Sequence, residues 1–155
     1  GEVAETVPAH NVTYEGSYSV NSYNIIYMVD GNKYYQESVK YGTAIELITE
    51  PTKEGHTFSG WSEIPETMPA EDITINGTFI INKYLVTFMI DDIVLASDSL
   101  EYGSTITLPS TPPYREGYTF SGWGEVAETV PANDVTYSAY YIANVYKVYY
   151  EKNKF

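Results

Sequence analysis

Alternating apolar side chains mark two stretches near the start of each half of the chain. Residues 84–90 read Tyr-Leu-Val-Thr-Phe-Met-Ile, and residues 23–29 repeat the pattern. A period of two predicts a β-strand in each stretch, and the apolar reverse face favours a central position in a sheet. The pair Asp30-Gly31 then predicts a tight hairpin turn, because both residues tolerate positive φ.

A second strand is predicted to complete each hairpin, at residues 34–41 and 95–102, and each ends in a Tyr-Gly pair. The segments that follow, residues 43–53 and 104–115, contain proline and an i, i+2 pair of apolar residues. Proline inside a helix removes a hydrogen bond and clashes with the preceding turn. We therefore predict an extended crossover with at most one helical turn.

Two near-identical stretches establish an internal repeat. Residues 54–61 read EGHTFSGW and return as EGYTFSGW at residues 116–123. The sequence GEVAETVPA occurs at residues 1–9 and again at residues 124–132. Self-similarity at a fixed period is the signature of a tandem-repeat protein, and it means that two copies of one core residue are not two separate sites.

The repeat register divides the chain into four parts. We predict that residues 1–22 are the C-terminal half of a preceding repeat, that 23–83 and 84–145 are complete modules of about 61 residues, and that 146–155 begin a following repeat. The chain is therefore expected to be a fragment of a longer protein. The second module is one residue longer, and residues 111–114 are the expected loop insertion.

The repeated motif also predicts the core. Strict alternation would place Phe58 and Trp61 on opposite faces, but a bulge at Gly60 would let both enter one core. Both tryptophans are predicted to be buried, because the small residues Gly77 and Ala139 in the last strands leave room for an indole ring. The predicted structural core comprises Phe58, Gly60, Trp61 and Pro69 in the first module and Phe120, Gly122, Trp123 and Pro131 in the second.

The last strand of the repeat is predicted as one continuous element in three copies, at residues 12–20, 73–81 and 135–143, because apolar residues alternate through each of them. Residues 12–20 lack a first strand to pair with, and residues 146–150 lack a last strand. Unpaired strand edges recruit other strands. Head-to-tail self-association through these terminal strands is therefore predicted.

Taken together, the motifs resemble the Listeria-Bacteroides repeat, the family that includes internalin B-type B repeats. The resemblance rests on the Tyr-Gly pair, on PTKEGHTFSGW at residues 51–61 and on MPAEDIT at residues 68–74. It implies mostly β, β-grasp-like (ubiquitin-like) modules in tandem, without catalytic activity, in bacterial cell-surface or secreted proteins. The expected role is that of an extracellular spacer or stalk with adhesive contacts to a host or bacterial surface protein or glycan.

Composition limits the partners further. The formal net charge is −13, from 21 acidic and 8 basic residues, which argues against nucleic acid and against anionic membrane surfaces. Cysteine is absent, so thiolate and disulfide chemistry is excluded. No apolar run approaches the roughly 20 residues of a membrane span, and direct membrane insertion is not expected.

Comparison between the copies argues against catalytic, metal or cofactor sites. Asp72 and Asp134 could join a pair of carboxylates for glycoside hydrolysis, but the first copy has Asn11 at this position. Structural roles in turns are therefore favoured. The position of His56 is occupied by Tyr118 in the second copy, so a zinc site is not supported.

The 17 tyrosines and 2 tryptophans leave a second function open. Aromatic rings provide flat, apolar stacking surfaces with polar edges. Most of them fall on the inner rows of predicted strands, but Tyr34, Tyr35, Tyr140 and Tyr149 do not, and these four are the candidate ligand contacts. A carbohydrate-binding module is therefore the alternative to a spacer, and a glycosidase would require two carboxylates about 5 to 9 Å apart in a cleft.

Overall fold

The computed structural model describes residues 6–110 and 113–151. Its regular elements are all β-strands, and the described residues contain no helix, which confirms the mostly β prediction. The strands of the first repeat are β1 (Ser22–Val29), β2 (Asn32–Lys40), β3 (His56–Phe58), β4 (Ile73–Gly77) and β5 (Phe79–Ile81). Those of the second are β6 (Lys83–Ile90), β7 (Ile93–Glu101), β8 (Tyr118–Gly122), β9 (Val135–Ser138) and β10 (Tyr140–Ala143).

A mixed three-stranded sheet forms the centre of each repeat. In the first, β1 lies between antiparallel β2 and parallel β4, and in the second, β6 lies in the same way between β7 and β9. A hairpin followed by a crossover to a strand parallel to the first is the β-grasp-like arrangement that the family resemblance implied. The described residues of both crossovers contain no helix, in keeping with their prolines.

The hairpin turn between β1 and β2 has the predicted geometry. Asp30 has φ 49° and Gly31 has φ 77°, so both central residues lie in the left-handed region that a two-residue hairpin turn requires. The side-chain amide of Asn32 donates to the carbonyl oxygen of Asp30 at 3.2 Å. Asp30, Gly31 and Asn32 therefore have a structural role in the hairpin turn.

Each crossover is held against the sheet by a short backbone ladder. In the first repeat the Gly42 N–H donates to the Met68 carbonyl and the Met68 N–H donates to the Thr43 carbonyl, both at 2.9 Å. Gly103 and Ser104 make the same two bonds with Val130, also at 2.9 Å. Met68 and Val130 are fully buried, so each ladder positions one apolar side chain in a hydrophobic core.

In each sheet, one carboxylate before the parallel strand binds the central strand beside it. Asp72, just before β4, accepts a hydrogen bond from the Asn24 backbone N–H at 2.7 Å and one from its side-chain amide at 3.1 Å. These two bonds lower the pKa of Asp72. Asp134 accepts from the Leu85 backbone N–H at 2.8 Å. Both side chains therefore bind the neighbouring parallel strand, which is a structural role.

The described chain folds into two compact units, each with its own hydrophobic core. The first unit contains residues up to 49 together with 60–78, and the second contains residues 50–59 together with those from 79 onward. Strands β3 and β5, which belong to the first repeat in sequence, therefore belong to the second unit in space. The repeat boundaries after residues 22, 83 and 145 describe the sequence period and stay a prediction.

The prediction of one continuous last strand is wrong. Thr78 separates β4 from β5, and Ala139 separates β9 from β10. Strand β4 pairs with β1, whereas β5 pairs with β3 in a different sheet. Alternation of apolar residues reports which face a side chain occupies and not which strand supplies its hydrogen bonds, so the pattern continues across a change of partner.

The predicted bulge occurs in the second repeat, beside Gly122, the counterpart of Gly60. In the β8–β10 pair, Gly122 lies opposite Tyr140 and Phe120 lies opposite Tyr141, which leaves Ser121 as the extra residue. Strand β3, by contrast, already ends at Phe58. Strand β8 has five residues, two more than β3, and the added length allows the bulge to form.

The strands predicted at the two ends of the chain are absent. Residues 12–20 and 146–150 have no strand assignment and are exposed in the structure. A strand exists only where another strand completes its hydrogen bonds, and neither segment has one in a single chain. Pairing between chains through these segments stays a prediction.

Each tryptophan packs against the aromatic residue of its central strand. Trp123, which is 6% exposed, meets Phe88 with ring centroids 5.0 Å apart and planes at 69°, and Phe120 at 5.5 Å. Trp61 meets Tyr27 at 5.1 Å and 69° but is only partly buried. The edge-to-face geometry is therefore common to both repeats, whereas the depth of burial differs.

We expect Trp123→Ala to destabilise the second unit by about 3 to 5 kcal/mol, because it removes a buried indole and leaves a cavity. Trp61→Ala should cost less, since its side chain is partly exposed. Urea unfolding followed by far-ultraviolet circular dichroism measures both. Tyr150→Ala, at an exposed position, is the control, and an unchanged midpoint for Trp123→Ala would contradict this role of the indole.

The core of the first unit contains a polar atom without a hydrogen bond. Tyr27 is fully buried, and its hydroxyl has no hydrogen-bond partner among the described residues. Burial, with added contributions from Glu37 and Tyr35, raises the pKa of Tyr27 above its ordinary value of 10.0. The second repeat has Phe88 at this position, which fills the same place without a hydroxyl.

Tyr27→Phe should therefore stabilise the first unit by about 1 kcal/mol, because an unsatisfied buried hydroxyl costs roughly 1 to 3 kcal/mol. The advantage should grow above pH 10. There the unfolded tyrosine loses a proton that the folded one retains, so wild-type stability falls as pH rises through the raised pKa. Thermal melts at pH 7 and pH 10.5, with Tyr149→Phe as the exposed control, test this, and a loss of stability at pH 7 would contradict it.

Candidate aromatic binding surface

A β-bulge places two neighbouring tyrosines of β2 on one side of the sheet. Tyr27 of β1 lies opposite Tyr35, but the next residue of β1 lies opposite Lys33, so Tyr34 is the extra residue of the bulge. In a regular strand, successive side chains point to opposite faces. The bulge changes the direction of one side chain, and both tyrosines consequently approach the same aromatic cluster.

The cluster consists of four rings in contact. Trp61 packs edge-on to Tyr27, Tyr35 lies 6.0 Å from Tyr27, and Tyr34 lies 6.3 Å from Trp61, all measured between ring centroids. Tyr34 is 52% exposed and Tyr35 is 44% exposed. The cluster therefore has an inner pair of rings in the core and an outer pair of rings at the surface, which we call the aromatic surface.

A shallow groove of about 370 Å³ borders the aromatic surface, and it is lined by Tyr34, Tyr35, Ile48 and Thr49. Its size is at the lower end of the range typical of small-ligand sites. A polar pair lies on the same strand, where the Lys33 ammonium donates to the side-chain oxygen of Gln36 at 3.3 Å. The arrangement can accept a flat apolar group on the rings and hydrogen bonds at the tyrosine hydroxyls.

The second repeat has the same bulge without the aromatic side chains. Phe88 lies opposite Ala96 and the next residue lies opposite Val94, which makes Leu95 the extra residue. Leucine and alanine thus stand where the first repeat has Tyr34 and Tyr35. Because the backbone and the core tolerate either pair, the two tyrosines are not required by the fold.

The other two candidate contacts are separate from this surface. Tyr140 is exposed on β10 and lies over Gly124, where an added Cβ would come within 2.9 Å of its ring. Tyr149 is exposed and lies outside every strand. Both belong to the second compact unit. The structure thus brings together Tyr34 and Tyr35 only.

Sequence reasoning missed three contributors to the aromatic surface. Trp61 was assigned to the core alone, and Ile48 and Thr49 were placed only within a predicted crossover. Their position depends on the bulge and on the path of the crossover, neither of which leaves a periodic signal. The difference between the tyrosine pair and Leu95-Ala96 is the one sequence signal that could have identified the site.

The described residues offer few candidates for metal binding or for other kinds of site. They contain no group of three or more histidine, aspartate or glutamate side chains arranged to hold a metal ion. The His56 imidazole lies 2.7 Å from the carbonyl oxygen of Glu54, two residues away. No helix within the described ranges is long and apolar enough to cross a membrane.

Comparison with known proteins supports the resemblance seen in the sequence. Over an alignment of 115 residues, the chain is 42% identical to Internalin H of Listeria monocytogenes serovar 1/2a. The alignment covers 66% of this chain and 20% of that protein. A second relative, from Evansella cellulosilytica and provisionally named a Gly-rich membrane protein, is 31% identical over 92% of this chain and 19% of its own length. The chain thus spans about a fifth of these relatives.

Among solved structures, the comparison finds Streptococcal High Identity Repeats in Tandem (SHIRT) domains 3-4 from a cell surface protein. The match covers 77% of this chain and 96% of that chain at 20% identity, with a TM-score of 0.33, too low to carry an argument about fold. The model of the Listeria-Bacteroides repeat domain matches twice, at residues 23–77 and 84–145. These two matches include most of the chain, and it belongs to the Listeria-Bacteroides repeat family.

Proposed function

We propose that this chain is a non-catalytic spacer segment of a bacterial cell-surface or secreted protein, and that its first repeat adds an adhesive contact through the aromatic surface. The observation that carries the proposal is the contrast between the two repeats. They share their sheets, crossover ladders and tryptophan packing, and they differ in the exposed pair on β2.

Tandem repetition and family membership support the spacer role. A repeat unit adds length to a protein at a fixed increment while each unit retains its own core. The chain matches about a fifth of the length of its relatives, one of which is named a membrane protein. An extracellular location at the cell surface is the setting in which such added length carries a binding domain away from the envelope.

The carboxylates considered for hydrolysis have structural partners, which supports a non-catalytic role. Asp72 binds Asn24, and Asp134 binds the backbone of Leu85. Each spans from the start of one strand to the start of its parallel neighbour. This use explains why an acidic residue recurs at the position without assigning it a reaction.

The chemistry of the aromatic surface supports an adhesive role. Two partly exposed tyrosines beside an apolar groove offer stacking area at a low entropic cost, because each ring has only two side-chain torsions. A glycan fits this description through the flat face of a sugar ring, and its hydroxyl groups match the tyrosine hydroxyls. The strongly acidic chain favours neutral or basic partners over anionic ones.

The adhesive role predicts binding that depends on the tyrosine pair. The double substitution Tyr34→Leu, Tyr35→Ala gives the first repeat the residues that the second repeat has at these positions. Because the second repeat forms the same bulge with them, the fold should be retained. We expect this double variant to weaken glycan binding at least tenfold, a loss typical of removing a central aromatic contact. A mixed glycan array finds the ligand, and titration followed by tryptophan fluorescence measures the affinity, because Tyr34 lies beside the Trp61 indole.

Two matched variants sharpen this test. Tyr149→Ala removes an exposed tyrosine elsewhere and should leave binding unchanged, whereas Leu95→Tyr with Ala96→Tyr should give the second repeat a binding surface of its own. Unaltered binding by the Tyr34→Leu, Tyr35→Ala variant would reject the aromatic surface as the adhesive site. Absence of binding on the array, with binding to a surface protein instead, would reject the glycan as its ligand.

The spacer role predicts that reach depends on the number of folded repeats. On cells that display the chain between a wall anchor and a distal epitope, deletion of residues 84–145 should reduce capture of antibody-coated beads. The deletion joins Lys83 to Tyr146 in the repeat register. Replacement of the same residues by a Gly/Ser linker is the control, since a flexible chain has a shorter mean extension than its contour. Equal capture by all three versions would contradict a spacer role.

A further inference from the structure

A tyrosine ring packs directly on a glycine within the second unit. Gly55, which precedes β3, is buried and has φ +67°. A Cβ added to it would overlap the ring of Tyr102, the residue after β7. The His56 ring also meets Tyr102 edge-on, with centroids 5.9 Å apart. The Tyr-Gly turn of one repeat therefore sits beside the β3–β5 strand pair of the repeat before it, and only glycine leaves room for the ring.

We call the contact of Tyr102 with Gly55 and His56 the joint. One asparagine, Asn82, connects its parts. The Asn82 N–H donates to the Gly55 carbonyl at 2.9 Å, and the Thr57 hydroxyl donates to the Asn82 side-chain oxygen at 2.7 Å. The Asn82 side-chain amide donates to the Tyr84 hydroxyl at 3.4 Å. The Asn82 carbonyl accepts from the Tyr102 N–H at 2.9 Å. Asn82 thus binds Gly55 and Thr57 at β3, the following strand and the turn.

The same joint is half assembled one repeat later. The Asn144 N–H donates to the Gly117 carbonyl at 2.8 Å, the Thr119 hydroxyl donates to the Asn144 side-chain oxygen at 2.6 Å, and the Asn144 side-chain amide donates to the Tyr146 hydroxyl at 3.3 Å. These are the bonds of Asn82 in the same order. The polar part of the joint is therefore built before any turn occupies it.

The apolar part of this second joint is open. Gly117 has φ +75°, and a Cβ added to it would meet no described atom within 4 Å. Tyr118, in the position of His56, is 40% exposed. The Arg115 guanidinium lies over the Tyr118 ring at 4.5 Å and holds that ring from one side. Gly117 and the partly exposed Tyr118 are therefore left uncovered by the described residues.

The complementary part of the joint is exposed on the first repeat. Tyr41, which aligns with Tyr102, is 57% exposed, and its N–H donates to the Asn21 carbonyl at 2.9 Å as Tyr102 does to Asn82. Gly42 has φ +74° and Gly103 has φ +75°. The two turns therefore have the same geometry, and they differ in whether a glycine surface covers the tyrosine.

We propose that Gly117, Tyr118 and Asn144 form a docking surface for the Tyr-Gly turn of a following copy of this repeat. The tyrosine ring of that turn stacks on Gly117, its edge meets Tyr118, and its N–H donates to the Asn144 carbonyl. The partner is recognised by a flat ring on a glycine backbone and by one directed hydrogen bond. This surface does not depend on the spacer or adhesive role proposed above.

The test inserts a duplicate of residues 84–145 between Val145 and Tyr146, which keeps the repeat register. A ring stacked on glycine shifts the Hα resonances of that glycine upfield. In the 155-residue chain, Gly55 should show this shift and Gly117 should not, and Tyr102→Ala should abolish the Gly55 shift. In the extended chain, Gly117 should gain the shift, and it should lose it again when the tyrosine of the inserted turn is replaced by alanine.

A second extended chain guards against an inserted repeat that does not fold. It carries a duplicate of residues 23–83 at the same place, which brings the Tyr41 turn to Gly117, and fluorescence of the inserted tryptophan reports folding. Unchanged Gly117 resonances beside a folded inserted repeat would overturn the proposal. Retention of the Gly55 shift in Tyr102→Ala would overturn it as well, because the first joint would then not be the ring-on-glycine contact from which the second is inferred.

Discussion

The packing of one indole ring against one aromatic ring of the central strand is the contact on which each repeat depends. A β-grasp-like sheet has an apolar face that needs a cover, and the described residues provide no helix for it. The cover consists of the tryptophan, the extended crossover and a single buried side chain, Met68 or Val130. With so little material in the second layer, the edge-to-face contacts Trp61–Tyr27 and Trp123–Phe88 supply much of the cover of the central strand. The backbone ladders at residues 42–45 and 103–106 hold the crossover beside that cover.

Comparison of two copies within one chain separates structural residues from candidates for function. Positions that keep their contacts in both copies, such as Asp72 and Asp134, are explained by the fold. Positions that share a backbone but differ in side chain, such as the bulge residues Tyr34 and Leu95, are free to serve binding. Both copies fold under the same conditions in the same polypeptide, so their differences arise from their own side chains.

The sequence period and the compact units do not coincide. Strands β3 and β5 come from the first repeat and fold with the second unit, where Gly55 and Asn82 bind the turn that begins at Tyr102. A repeat thus contributes its β3–β5 strand pair to the compact unit of its neighbour, which suits modules near the size at which a single core is marginal. Asn144 prepares the same arrangement one repeat further on.

By itself, the sequence determined the tandem repeat, the β class, the hairpin turn at Asp30-Gly31 and two of the residues of the aromatic surface. These depend on local features: identity at a fixed period, alternation and turn chemistry. Only the tertiary structure decided that the last strand changes partner at Thr78, that a bulge turns Tyr34 toward Trp61 and that the terminal segments form no strand. Alternation records which side of a sheet a residue faces, whereas pairing depends on which strand lies beside it in space, and that second condition is not written in any single stretch of sequence.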